Sequence, residues 1–169
     1  MKARHLFALA ALALTAGMVA CDDDDDDNGT GPDAELAFTA TLTGANEKPN
    51  PVSPAGTGTA TFTLNEAETS ATWSITVSGM TSNIANAHIH LGNANIAGGV
   101  IVQLLGASPF PITGPAATWS GTITSSTSLL LGLSWSSLID LIRNGDAYVN
   151  VHTLVNGSGE IRGQLVPVP

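Results

Sequence analysis

From residue 35 onward the chain reads as short runs of alternating apolar and polar residues separated by turn formers. Leu36 to Leu42 sets Leu36, Phe38, Ala40 and Leu42 against Ala37, Thr39 and Thr41 and ends at Gly44. Thr59 to Leu64 sets Ala60, Phe62 and Leu64 against threonine. Thr69 to Val77 puts Ala71, Trp73, Ile75 and Val77 on one face, and Gly79 breaks it. Period two over four to eight residues predicts half-buried strands, because successive side chains leave a strand on opposite faces. Further strands are predicted over Ile84–Leu91, Val100–Leu105, Thr118–Thr124, Ala147–Thr153 and Glu160–Val166. Val100–Leu105 is continuously apolar, which suits a buried strand.

One segment changes period. In Ser136–Gly145, Leu138, Leu141 and Ile142 fall at i, i+3 and i+4, a serine can cap the start, and Gly145 suits the position just past the end. A Pro-rich loop at 48–54, a loop at 92–98 and a connection carrying Pro109, Pro111 and Pro115 separate the runs. About eight short strands and one short helix predict an all-β, antiparallel Greek-key β-sandwich.

Composition agrees. The chain has 169 residues and 43 % hydrophobic content, enough for one domain with its own core. The start belongs elsewhere. Lys2 and Arg4 precede an apolar run from Leu6 to Ala16, and small residues lead to Cys21. This is the pattern of an export signal, and the run is too short for a spanning helix, which needs about 20 apolar residues. Met18-Val19-Ala20-Cys21 resembles the bacterial lipobox, which implies that Cys21 is lipidated and cleavage falls before it. Cys21 is the only cysteine, so no internal disulfide forms. Asp22 to Asp27 follow, six acids in a row, a block whose self-repulsion makes a tether. Residues 1–20 are thus read as signal, 21–34 as lipidated tether and 35–167 as the domain. The expected address is the bacterial cell envelope, with the membrane as partner through the lipid anchor. The net charge is −9, and only Lys48, Arg143 and Arg162 are basic after the signal, which excludes nucleic acid.

The strand pattern also collects polar chemistry. If Ala87, Ile89 and Leu91 face the core, His88 and His90 share the opposite face. If Val149 and Val151 face in, Tyr148, Asn150 and His152 face out. If Ile161 and Leu165 face in, Glu160, Arg162 and Gln164 face out. An odd hairpin loop, with Gly157 at positive φ, sets His152 opposite Glu160, Asn150 opposite Arg162 and Tyr148 opposite Gln164. His88, His90, His152 and Glu160 then form a candidate Zn²⁺ or Cu²⁺ site, imidazole and carboxylate being ligands of both ions. The competing reading is a structural network in which Glu160 holds an imidazole and Arg162 pairs with Asn150 or a carboxylate. Glu47, Tyr148, Asn150, Arg162 and Gln164 are its expected members. No Gly-x-Ser-x-Gly elbow and no phosphate-binding glycine loop is present.

Four separated motifs, Gly44-Ala45-Asn46-Glu47-Lys48-Pro49, Gly56-Thr57-Gly58-Thr59-Ala60, Ala87-His88-Ile89-His90-Leu91-Gly92 and Asn144 to Thr153 with Gly159 to Leu165, resemble the CHRD domain. That family is named for chordin, an extracellular antagonist of growth factors, and occurs in bacterial envelope proteins. In chordin the domains sit in a protein that works by binding proteins, and the family's bacterial members have no settled activity. The His-x-His alternation with a later strand histidine is also similar to part of the copper site of Cu/Zn superoxide dismutases, themselves β-sandwiches. The remaining histidine and the second metal's ligands in the 92–98 loop are missing, so dismutase activity does not carry over. The expected function is a non-enzymatic binding or structural module that meets an extracytoplasmic protein ligand through a sheet face or the loop from Lys48 to Pro54. The alternative is a copper- or zinc-binding protein.

Overall fold

Threonine and β-branched residues at every second position favour a pleated, half-buried surface, and strand is the main regular structure of the described residues. The computed structural model describes residues 37–105 and 110–169. The expected signal, Cys21 and the acidic run lie outside them. The strands are β1 (Ala37–Thr43), β2 (Thr57–Leu64), β3 (Ser70–Ser78), β4 (Ile84–Leu91), β5 (Val100–Gln103), β6 (Ala117–Thr124), β7 (Ala147–Thr153), β8 (Ile161–Gln164) and β9 (Val166–Pro167). The helix α1 (Trp135–Arg143) joins β6 to β7.

The domain is all-β and antiparallel, as the alternation predicts. The strands run β5-β4-β7-β8-β1-β2-β3-β6 along one hydrogen-bonded path, a single curled sheet whose two halves face each other as in a sandwich. The seam between its halves is narrow. β8 meets β1 at Thr43 opposite Arg162, and β9 meets β1 at Phe38 opposite Pro167 and Thr39 opposite Val166. The expected strand from Glu160 to Val166 is therefore a corner piece: Ile161–Gln164 pairs with β7, and Val166–Pro167 pairs with β1.

Curling brings the apolar faces of both halves together. Phe38, Phe62, Trp73, Ile75 and Trp119 from one half share a core with Ile89, Ile101, Val149 and Val151 from the other. The helix adds Leu138, Ile139 and Ile142. Its Ser134 hydroxyl accepts the Ser137 amide at 3.1 Å, so the cap lies two residues earlier than the apolar spacing suggests. At the other end Gly145 has φ +71°, its amide donates to Ile142, and Asp146 donates to Leu141. That pair of bonds closes the helix as a Schellman motif.

Candidate functional site

In a two-residue repeat, a core-facing set fixes the opposite set. β4 pairs with β7 so that His88 stands opposite Asn150 and His90 opposite Tyr148. β7 pairs with β8 so that Asn150 stands opposite Arg162 and Tyr148 opposite Gln164. These two pairings are the register that the sequence predicts for the last hairpin. His88, His90, Tyr148, Asn150, His152, Arg162 and Gln164 therefore share one face of three adjacent strands.

That face does not look out to water, contrary to the alternation. His88, His90 and His152 are 7–8 % exposed, and Asn150, Glu47 and Arg162 are still less so. The cover is the loop after β4. Arg162 donates from Nη1 to the Ile96 carbonyl and from Nη2 to the Asn93 carbonyl, both at 3.1 Å. Gln164 donates from Nε2 to the Gly92 carbonyl at 2.8 Å, and the Gly98 amide donates to the Tyr148 hydroxyl at 3.1 Å. The loop's backbone thus finds partners on the polar face. Gly98 allows the close approach, because a Cβ there would run into the Leu91 carbonyl.

The layer is stacked as well as bonded. The Arg162 guanidinium lies 3.5 Å from the Tyr148 ring centroid, on the β8 side. The His90 ring stacks on Tyr148 from the β4 side, 4.9 Å away and within 10° of parallel. Asn150 donates from Nδ2 to Glu47 Oε2 at 3.3 Å, which brings in the loop after β1. Arg162 therefore satisfies its fork on loop carbonyls and not on Asn150. Burial pushes the Glu47 carboxyl up to about 7, and the Arg162 charge and the Asn150 amide only partly offset it.

The three imidazoles converge. His88 Nδ1 lies 3.0 Å from His152 Nε2. His90 Nδ1 is 3.0 Å from the Gly98 carbonyl, and His152 Nδ1 is 3.1 Å from the Gly157 carbonyl. A carbonyl only accepts, so both of these rings carry their hydrogen on Nδ1 and present an Nε2 lone pair inward. His152 Nε2 then accepts from His88 Nδ1. The Nε2 atoms of His88 and His90 are buried without a hydrogen-bond partner. Burial is the main reason that all three histidines titrate below their usual range. His88 falls furthest, to about 4, since the charges of His152 and His90 add to burial and only Gln103, opposite it on β5, favours the protonated ring. The cluster is therefore neutral at neutral pH.

Glu160 does not join them. Pairing in the hairpin stops at Val151 opposite Ile161, and the Glu160 amide donates to the Val151 carbonyl, so the expected pairing with His152 is not made. The left-handed residue is Gly159, at φ +129°, and not Gly157. The chain turns there, and the carboxylate goes to the other side of the hairpin. Its Oε1 accepts the Gly56 and Thr81 amides at 3.0 and 2.9 Å. Its Oε2 accepts the Thr81 and Thr153 hydroxyls and the Asn156 amide. Burial works to raise its pKa, but these donors outweigh burial and hold it below the carboxylate norm. Thr81, Thr153 and the Gly56 amide were invisible in the sequence, because they reach Glu160 only through long-range register.

The described fold and site define an all-β domain in which one curled antiparallel sheet encloses an apolar core and carries a second, sealed polar layer over β4, β7 and β8. The family model for the CHRD domain matches residues 38–165. The chain belongs to the CHRD domain family. Neither the curated proteins nor the solved structures gave a match.

Proposed function

We propose that this chain is a non-enzymatic binding or structural module of the cell envelope, held at the membrane by a lipid on Cys21 and spaced from it by the acidic tether. It meets an extracytoplasmic protein ligand through the outer face of β1, β2, β3 and β6. The supporting observation is a contrast between two faces. The side chains with acid–base or ligating chemistry on β4 and β7 are closed beneath loops. The other half of the sheet leaves an open surface of hydroxyls. Thr41 pairs with Thr59, Thr59 with Thr76, and Thr76 with Thr118, and all four are exposed. Thr61, Thr63, Thr72 and Thr122 extend the same surface. Hydroxyls donate and accept without the desolvation cost of a charge, which suits recognition over a broad surface.

Two measurements in intact cells test this reading. Cys21→Ser should move the protein from the membrane to the soluble fraction, and mass spectrometry of the wild type should find acyl chains on Cys21. A photo-crosslinking residue at Thr61 should give a discrete protein adduct, whereas one at the exposed helix position Asp140 should not. An unmodified Cys21 removes the anchor. Adducts at neither position, or only at Asp140, remove the binding face.

A further inference from the structure

The sealed face holds three features that a structural network does not need. The first is convergence. One ligand atom from each of His88, His90 and His152 lies within 4.8 Å of the others. Two nitrogens bonded to one ion at metal–nitrogen lengths sit about 3.3–3.6 Å apart, so a shift of about 1.2–1.5 Å in one ring completes the set. The second is orientation. His90 and His152 each give Nδ1–H to a backbone carbonyl, Gly98 and Gly157. An outer hydrogen bond of this kind fixes the tautomer of metal-binding histidines and aims the other nitrogen inward. The third is the orphaned Nε2 of His90, a buried acceptor facing a cluster with no donor for it.

The ligand set selects the ion. Three imidazoles suit copper or zinc, and they exclude calcium and magnesium, which take oxygen ligands. No carboxylate belongs to the cluster, since Glu160 is occupied elsewhere. Arg162 adds positive charge nearby through its stack on Tyr148. A buried, neutral donor set beside a cation tolerates one positive charge far better than two.

We propose that His88 Nδ1, His90 Nε2 and His152 Nε2 form a three-coordinate copper(I) site in the polar layer. No electron transfer is implied. On binding, the His88 proton moves from Nδ1 to Nε2, while His90 and His152 keep theirs on Nδ1. This site is independent of the threonine face, so either can fail alone.

The test is titration of the full chain with copper(I) in competition with a colorimetric copper(I) chelator. ¹⁵N-detected NMR reads the ring nitrogens, because copper(I) is diamagnetic. The expected result is one copper per chain, with shifts at His88 Nδ1, His90 Nε2 and His152 Nε2 and no change of tautomer at His90. His90→Gln and His152→Gln should each weaken binding at least about a hundredfold, more than loss of an outer-shell partner usually costs. Should either variant fail to fold, the nitrogen shifts of the wild type decide. Copper(I) bound no tighter by the wild type than by the variants, shifts confined to residues outside the cluster, or tight zinc binding without copper binding would each overturn the proposal. The acidic run does not imitate the expected result, since carboxylates prefer hard cations.

Discussion

At the scale of single residues, the two buried glutamates behave in opposite ways because their donors differ. Glu160 sits among the Gly56 and Thr81 amides and the hydroxyls of Thr81 and Thr153. Removing its charge leaves several buried donors poorly matched. Glu160→Gln is expected to lower the unfolding free energy by about 2–4 kcal/mol in urea titration, and Thr153→Val by about 1 kcal/mol. An unchanged midpoint for Glu160→Gln would show that the carboxylate is not the fastener of the 153–160 turn. Glu47 has the Asn150 amide as its side-chain donor and a buried, unpaired Oε1. Its pKa of about 7 lies above the ordinary 4.5, so the folded chain holds this proton while the unfolded chain has lost it. Stability must therefore fall as pH rises from 4.5 to 7, and Glu47→Gln should flatten that part of the stability–pH curve relative to wild type. An identical curve for the variant would mean that Glu47 ionises normally.

At the scale of elements, the alternation located the strands but not what covers them. β4 and β7 coincide with the predicted runs Ile84–Leu91 and Ala147–Thr153. The His88–His90 face, the Asn150–Arg162 pairing and the helix with its Gly145 end were all legible from spacing. The burial of that face was not, because a polar strand face reads the same whether it meets water or a loop. The departure at Glu160 was not legible either, because it turns on which glycine in the 157–159 stretch takes the left-handed conformation. Gly159 does so, and a Cβ there would lie 2.6 Å from the Asn150 amide and 2.9 Å from Glu47 Oε1. Gly159→Ala should cost about 2–3 kcal/mol, whereas Gly157→Ala, with nothing within 4 Å of its Cβ, should cost little. Equal effects of the two substitutions would place the turn elsewhere.

At the scale of the molecule, the curled sheet presents two unlike exteriors. One half is bare and hydroxylated; the other carries a polar layer closed by the 92–98 loop. Arg162 is the clasp, gripping Asn93 and Ile96 while stacked on Tyr148. Arg162→Met should leave the strands folded and speed amide exchange in residues 93–98 by more than tenfold, since an opening free energy lowered by about 1.4 kcal/mol gives a factor of ten. Unchanged exchange would assign the closure to Gln164 and Tyr148 instead. Among the described residues no helix is long and apolar enough to cross a membrane.

Sealing of the histidine layer is the claim on which the contrast between the two faces depends, and solvent reactivity tests it most directly. The full chain would be treated with diethyl pyrocarbonate at neutral pH, and the modification of each histidine followed by mass spectrometry. His88, His90 and His152 should be protected in the folded protein and react at the rate of free imidazole once it is unfolded. Rapid modification of all three in the folded protein would contradict this, and would place the histidines on an open surface.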